Sequence, residues 1–259
     1  MKKITLITGS ANGLGKEFAK IYAKEGSSLL LIDYDKNALI DTIKEIKSIN
    51  ENISIETLIC DLSKKEELYK IKEYVSNNDY FVNNLINCAG FGEQKDFVEM
   101  EEDFQLKMSD VDCNALLYLT NVFVKDMVKQ NEGHIINISS LAGFMPGPYM
   151  CTYHACKSFV LSLGEAISYE LRKTNVKLLT LCPGPFMSKF VEKAHNDYTF
   201  KKIKPISAKS VAEFGFKKSK KGKSLAIVGF KNRMLVFLTR LFPRSFVTMM
   251  SAKNIKKEK

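Results

Sequence analysis

Tyr153 and Lys157 have the types and the spacing of a proton-transfer pair. They stand four residues apart in a segment whose apolar residues, among them Val160 and Leu163, recur at helical spacing. Side chains at positions i and i+4 of a helix share a face, so the two can interact. A tyrosine hydroxyl has an ordinary pKa of about 10, and a neighbouring ammonium group lowers that pKa by stabilising the phenolate. The pair therefore predicts acid–base catalysis by Tyr153 with Lys157 as its activator.

A glycine-rich segment at residues 8–15 reads Thr-Gly-Ser-Ala-Asn-Gly-Leu-Gly and follows a short apolar run. Where a strand turns into a helix, such glycines allow a tight turn, a close approach of the backbone to phosphate and close helix packing. The spacing differs from G-x-G-x-x-G, so an ordinary strand-to-helix turn is the alternative. The segment predicts a dinucleotide site that includes Gly9, Asn12, Gly13, Leu14 and Gly15.

Asp33 is the candidate that decides the choice of cofactor. It ends the second predicted strand, where a carboxylate can accept hydrogen bonds from ribose hydroxyls and repels a 2′-phosphate. Tyr34 follows it, and residues 10–12 contain no Lys or Arg to bind such a phosphate. These residues favour NAD over NADP. The alternative is that Asp33 only caps a turn with Asp35.

These candidates need a scaffold, and the sequence predicts one in which strands and helices alternate. Such alternation is typical of an α/β fold with a doubly wound parallel sheet and flanking helices. The length of 259 residues and the 45% hydrophobic content suit one domain over residues 1–259. Long helices are predicted at 104–130 and 151–174. The seven predicted strands are at 4–8, 29–32, 53–60, 84–87, 134–138, 176–181 and 225–228.

Composition limits the classes of partner and compartment. The formal net charge is +10, but much of the excess lies in residues 217–223 and in the tail, outside the motifs, so we expect solvated surface and no nucleic-acid site. The six cysteines form no C-x-x-C pair and no metal-ligand grouping with the three histidines. We therefore expect reduced thiols, no metal and a cytoplasmic protein. The N-terminal apolar run is too short for a secretory signal.

Four landmarks together resemble those of the short-chain dehydrogenase/reductase family, over about residues 4–190. The resemblance implies a single-domain Rossmann-type fold, a nicotinamide cofactor and interconversion of a secondary alcohol and a ketone. The landmarks, in family order, are the T-G-x-x-x-G-x-G segment at 8–15, the N-x-A-G element at 87–90, the pair Ser139-Ser140, and Tyr153 with Lys157.

The resemblance also assigns roles to further residues. Ser140, thirteen residues before Tyr153, is expected to hydrogen-bond the substrate oxygen, and Asn114 matches the helix asparagine of the family. After Pro183-Gly184 the family often has a threonine near the nicotinamide, where Ser188 stands close by in this sequence. The implied catalytic residues are Asn114, Ser140, Tyr153 and Lys157. The implied cofactor residues, besides the glycine segment and Asp33, are Asp61, Asn87, Ala89, Tyr153 and Lys157.

The substrate is predicted from an apolar rim, and several alternatives stay open. A rim without charge suits a bulky hydrophobic alcohol or ketone, either steroid-like or acyl. Residues 185–259 form the substrate loop and a C-terminal region that is a lid, a subunit contact or, through the basic apolar segment 233–240, a peripheral membrane contact. The alternatives to the enzyme are a non-catalytic NAD-binding regulatory protein and a membrane-surface lipid or acyl-chain reductase. A homodimer or homotetramer is expected. The predicted rim contains Leu141, Phe144, Met145, Met150, Phe186, Met187 and Phe190.

Overall fold

A seven-stranded parallel sheet forms the centre of the molecule. The computed structural model describes residues 1–187 and 206–255, apart from the side chain of Met187. The strand order is β3-β2-β1-β4-β5-β6-β7, and every neighbouring pair is parallel. The predicted doubly wound sheet is confirmed. The strands are β1 (Lys2–Thr8), β2 (Leu29–Asp33), β3 (Ile55–Ile59), β4 (Tyr80–Asn87), β5 (Gly133–Ile138), β6 (Val176–Cys182) and β7 (Leu225–Ile227).

Helices cover both faces of this sheet. The first three are α1 (Gly13–Lys24), α2 (Lys36–Ile49) and α3 (Lys65–Asn77). The next three are α4 (Glu102–Ser109), α5 (Leu116–Gln130) and α6 (Cys151–Glu170). After a short parallel pair of Phe186–Met187 with Ile206–Ser207, the chain continues with α7 (Ala208–Lys220), α8 (Phe230–Thr239) and α9 (Arg244–Ile255). Among the described helices, none is both long and apolar enough to cross a membrane.

Two hydrophobic cores lie on either side of the sheet. One contains residues of α1, α2 and α7, and the other contains residues of α3, α5 and the end of α6. Strand β2 is buried from Leu29 to Ile32, which is why its sequence is continuously apolar and does not alternate. The strand order reverses between β1 and β4. Their carboxyl ends therefore open a crevice, the place where doubly wound folds bind ligands.

The prediction of one long helix at 104–130 is wrong in one respect. A six-residue π-helical turn, Asp110–Ala115, separates α4 from α5. Such turns are rare and occur often at functional sites. This one includes Asp112, whose side chain is completely buried. The helix predicted at 151–174 ends earlier, at Glu170, and continues as a 3₁₀ turn, Leu171–Lys173.

Candidate active site

The glycine segment lies at the carboxyl end of β1, against the N-x-A-G element that follows β4. Gly9 has a φ of +63°, and a Cβ atom there would lie 2.8 Å from the Cα atom of Ala89. A side chain at this position would therefore push the two loops apart. The Thr8 hydroxyl accepts hydrogen bonds from the backbone N–H groups of Cys88 and Ala89, both at 3.1 Å. Thr8, which no sequence pattern singled out for this role, therefore joins the two loops.

The start of α1 provides a cradle that fits a pyrophosphate. The helix begins at Gly13, directly after the extended residue Asn12. Within the described residues the Asn12 side chain makes no capping hydrogen bond, so the first amides of α1 keep their N–H groups for another acceptor. An anion satisfies such amides and interacts favourably with the positive end of the helix dipole. Leu14 and Gly15 are buried beneath this turn.

Asp33 stabilises the glycine-rich loop through hydrogen bonds. Its Oδ2 atom accepts a hydrogen bond from the backbone N–H of Ala11 at 2.9 Å, and its Oδ1 atom accepts one from Asp35 at 3.0 Å. The turn-capping alternative for Asp33 is therefore part of its role in the structure. The neighbouring side chain of Tyr34 is 65% exposed, at the opening of the crevice.

Two further predicted cofactor residues lie at strand ends but are engaged by the protein itself. Asp61, after β3, accepts hydrogen bonds from the backbone and hydroxyl of Ser63 and forms an ion pair with Lys107 at 3.3 Å. The Asn87 side chain is buried and donates to Thr120 at 3.0 Å and to Asn137 at 2.9 Å. Asn87 thus links β4 to α5 and β5.

Ser140, Tyr153 and Lys157 come together at the carboxyl end of β5. The Tyr153 hydroxyl is hydrogen-bonded to Ser140, and the Lys157 Nζ atom lies 5.5 Å from the centre of the Tyr153 ring. The Ser140 hydroxyl also accepts a hydrogen bond from the Ala142 backbone at 3.1 Å. The neighbouring serine, Ser139, faces inward and donates to the backbone carbonyl of Lys157 at 2.8 Å. Both serines therefore help to fix the start of α6.

Asn114 is not part of this cluster, and the expectation placed on it needs correction. Its side chain is exposed and donates to the Asp110 carboxylate at 2.8 Å. Asp112 stands in contact with Lys157 instead, with 2.6 Å between Oδ1 and Nζ. Its Oδ2 atom accepts a hydrogen bond from the Phe91 backbone at 3.0 Å. Asn114 was predicted from its residue type. The inward face of the segment Asp110–Ala115 carries Asp112 and not Asn114.

The sequence contains a signal that could have identified Asp112. Val111 and Ala115 are apolar and buried, and they mark the inward face of this segment. With about 100° of rotation per residue of a regular helix, Asp112 falls between the buried residues Leu119 and Leu116 on the circumference, whereas Asn114 falls outside the buried arc. A buried acid next to a predicted catalytic lysine is a recognisable pattern once the inward face is considered.

Residues 3–199 match the family model described as short chain dehydrogenase. The chain belongs to the short-chain dehydrogenase/reductase family. Through this family, the chain belongs to the class of oxidoreductases that interconvert alcohols and carbonyl compounds with a nicotinamide cofactor. Epidermal retinol dehydrogenase 2 of Mus musculus is 30% identical over 184 residues, which cover 70% of this chain and 59% of that relative.

Solved structures of other short-chain dehydrogenases share the fold. A short-chain dehydrogenase from Sphingobium yanoikuyae in complex with NADPH matches with a TM-score of 0.82 and 22% identity, over 93% of this chain and 94% of that chain. A short-chain dehydrogenase/reductase from Burkholderia phymatum in complex with NAD matches with a TM-score of 0.82 and 24% identity, over 92% of each chain. The first complex contains NADPH and the second contains NAD, so the structural similarity does not distinguish between the two cofactors.

The electrostatics of this short-chain dehydrogenase differ from the sequence-based expectation. Burial lowers the pKa of Lys157, but Asp112 and the nearby Tyr153 together outweigh burial, so the pKa of Lys157 is raised above its ordinary value. Burial raises the pKa of Tyr153 above its ordinary value, although Lys157 and the Ser140 hydrogen bond act in the opposite direction. Asp112 adds to the increase in the pKa of Tyr153. The carboxylate thus offsets part of the activation that Lys157 provides.

Gly90, the last residue of the N-x-A-G element, leaves room for the buried ion pair. A Cβ atom at this position would lie 2.7 Å from Oδ1 of Asp112 and 3.1 Å from Nζ of Lys157. Both distances are shorter than ordinary contacts. The absence of a side chain at Gly90 therefore makes room for the Asp112–Lys157 ion pair.

The predicted substrate rim is only partly described. Leu141 and Met150 are buried, and Phe144 and Phe186 are partly buried. Ser188, Phe190 and the side chain of Met187 lie outside the described residues. An open cavity of about 920 Å³ faces the other side of α6, between Ala155, Ser158 and other residues of that helix and Arg244 of α9. Two residues of the predicted rim, Phe144 and Met145, line this cavity, whereas Tyr153 and Ser140 do not.

Proposed function

We propose that this protein is an NAD(H)-dependent oxidoreductase that interconverts a secondary alcohol and a ketone, with Tyr153 as the acid–base catalyst. The observation that carries the proposal is the hydrogen bond between Tyr153 and Ser140 with Lys157 over the same ring. The two hydroxyls lie at the carboxyl edge of the sheet, beside the loops that fit a dinucleotide. A substrate oxygen can therefore meet two donors next to the cofactor site.

Each residue of the cluster has a defined task in this proposal. A nicotinamide cofactor held by these loops would supply or accept the hydride at the reacting carbon. Tyr153 donates a proton to the carbonyl oxygen during reduction and accepts it from the alcohol during oxidation. Ser140 holds the same oxygen with a second hydrogen bond. Lys157 stabilises the Tyr153 phenolate and is placed to bind the hydroxyls of the nicotinamide ribose.

Asp112 acts as a positioning residue in place of the predicted Asn114. It touches neither the substrate nor the reacting atoms in this proposal, and it works through Lys157. With Nζ only 2.6 Å away, its carboxylate fixes the ammonium group and keeps it charged. The cost is a negative charge near Tyr153, which makes the phenolate harder to form.

NAD is the proposed cofactor. Asp33 is nine-tenths buried and uses each oxygen for one backbone N–H, and a carboxylate has lone pairs left for ribose hydroxyls. Its charge opposes a 2′-phosphate, and Tyr34 offers no cation for one. Gly9, Asn12, Gly13, Leu14 and Gly15 would hold the pyrophosphate. Asp61 and Ala89 would border the adenine and nicotinamide ends.

The proposed substrate is a bulky hydrophobic alcohol or ketone, steroid-like or acyl. The apolar residues Leu141, Met150 and Phe186 near the crevice support this choice. The similarity to a retinol dehydrogenase supports it as well. The experiment is a panel of ketones of increasing bulk, assayed with NADH. Turnover of bulky apolar ketones, with sugars and keto acids inactive, is the expected result.

Two substitutions test the catalytic assignment on whichever substrate is turned over. Tyr153→Phe should abolish turnover and leave NADH binding nearly intact, because the aromatic ring still packs but the hydroxyl proton that would be transferred is absent. Ser140→Ala should be milder, at about 3–4 kcal/mol in activation free energy, because it removes one donor of two. If Tyr153→Phe keeps most of the wild-type rate, the assignment is wrong. Tight NADH binding without turnover of any substrate would favour the regulatory-protein alternative.

A homodimer or homotetramer in the cytoplasm completes the proposal. Leu117 of α5 and Phe159 and Tyr169 of α6 are exposed apolar or aromatic side chains on the helices expected to form subunit contacts. All six cysteines are free thiols, which suits a reducing compartment. Light scattering at micromolar concentration tests the assembly, and a monomer would refute it.

A further inference from the structure

The C-terminal part of the chain concentrates the positive charge of the whole protein. Residues 214–257 contain twelve Lys and Arg residues and no Asp or Glu. Because the entire chain has a net charge of +10, the remainder is slightly acidic. Charge separation of this kind has no role in the crevice at Tyr153. It points to a surface that meets something negatively charged.

The same part of the chain exposes an unusual number of large apolar side chains. In α8 only Val236 is buried, whereas Phe230 is 70% exposed. Soluble proteins rarely leave such side chains contiguous at the surface unless they bind something there. We call these residues the C-terminal apolar surface. It comprises Phe230, Met234, Leu235, Phe237, Leu238, Leu241, Phe242, Phe246, Met249 and Met250.

Apolar and basic residues are interleaved within this surface. Phe230, Met234 and Leu238 follow one another at intervals of four and form a stripe along α8. Exposed Arg233 and Arg240 lie beside the stripe, and the guanidinium of Arg233 lies 5.8 Å from the centre of the Phe230 ring. Long basic side chains can place their stems on apolar groups and their charges in the headgroup layer of a membrane. This is the arrangement of a helix that lies in the membrane interface.

We propose that the C-terminal apolar surface binds the surface of an anionic lipid bilayer, with α8 lying parallel to it. Anionic headgroups match the basic residues within and beside this surface, namely Lys231, Arg233, Arg240 and Arg244, and the exposed apolar side chains match the outer acyl region. A two-fold contact between two copies of this surface would bring like charges together without a carboxylate in residues 214–257 to pair with them. The inference does not depend on the catalytic proposal, since it concerns a different surface.

The test is flotation of the full-length protein with vesicles, which does not use enzymatic activity. One set contains equal parts of phosphatidylcholine and phosphatidylglycerol, and the other contains phosphatidylcholine alone. We expect at least tenfold tighter binding to the anionic set and a loss of most of that binding in about 0.5 M salt, where charges are screened. Equal binding to both sets, or binding to neither, overturns the proposal.

Matched variants locate the binding surface. Phe237→Ser with Leu241→Ser, and separately Lys231→Gln with Arg233→Gln and Arg240→Gln, should each weaken binding at least tenfold. The controls are Val98→Ser with Leu106→Ser and Lys44→Gln with Lys70→Gln and Lys129→Gln, which change exposed residues elsewhere and should leave binding unchanged. If the controls weaken binding as much as the test variants, the assigned surface is wrong. A fall in oligomer mass for Phe237→Ser/Leu241→Ser, with no lipid binding by the wild type, would show that a second copy is the partner.

Discussion

The Asp112 carboxylate lies 2.6 Å from the ammonium group of Lys157, and both side chains are shielded from solvent. A buried ion pair is sensitive to the loss of either partner, because the remaining charge is left without compensation. The pair also determines how much positive charge Tyr153 experiences. Three of the following predictions concern this relationship.

Asp112→Asn should shift the pH dependence of alcohol oxidation to lower pH. Oxidation requires the Tyr153 phenolate, so its rate rises as the pH passes the pKa of Tyr153. The Asp112 charge adds to the increase in that pKa, so its removal should lower the pKa of Tyr153. The variant should therefore keep activity at pH values where the wild type loses it. The measurement is kcat/KM for alcohol oxidation across the alkaline range.

Asn114→Ala is the matched control, because Asn114 is exposed and bonded only to Asp110 among the described residues. Its pH profile should match that of the wild type. An Asp112→Asn profile that stays in place or moves to higher pH would contradict the positioning role.

Lys157→Ala should destabilise the fold as well as stop turnover. It leaves the Asp112 carboxylate buried without a partner, at a cost of about 3–5 kcal/mol in the free energy of unfolding. The double variant Lys157→Ala/Asp112→Asn should recover much of that stability but none of the rate. Urea unfolding curves measure the stability and initial rates measure the turnover. NADH titration should also show weaker cofactor binding, since Lys157 is the proposed ribose donor. Equal stability of the single and double variants would show that the pair is not coupled.

Gly90→Ala should lower kcat by about tenfold or more, which corresponds to about 1.4 kcal/mol. The new methyl group would press on Asp112 Oδ1 and Lys157 Nζ and displace the ion pair. Gly26→Ala is the control, because its Cβ would have no neighbour within 4 Å. The φ of Gly26 is +75°, so this control should cost about 1–2 kcal/mol of stability and leave kcat unchanged. Wild-type kcat in folded Gly90→Ala would argue against this steric role.

Cofactor preference should respond differently to two neighbouring substitutions. Tyr34→Arg should improve kcat/KM with NADPH and change that with NADH little, because it adds a phosphate donor at an exposed site. Asp33→Ala with Tyr34→Arg should reverse the preference but also weaken both cofactors, since the Ala11 loop loses its acceptor. The NADH to NADPH ratio of kcat/KM is the measurement, with Tyr34→Gln as the uncharged control. A wild type equally efficient with both cofactors would refute the NAD assignment.

The strands and most helices could be predicted from the sequence because the local pattern of apolar residues indicates which residues are buried. Strand β2 is a continuous apolar run, and α2 repeats Leu39, Thr42 and Ile46 on its buried face. The ion pair at Lys157 could not be predicted in the same way. It depends on a π-helical turn that positions Asp112, and on tertiary contacts with Phe91 and Lys157 that no local pattern contains. Residue type alone favoured Asn114.

The hydroxyl of Thr8, which accepts two N–H groups from the loop after β4, has a consequence for binding. Because one side chain holds both loops, the slot between them exists before any molecule enters it. A ligand that spans the two loops then loses its own freedom, but it does not have to order the backbone around it. The entropic penalty of association therefore falls mainly on the ligand, and more of the contact free energy remains as affinity.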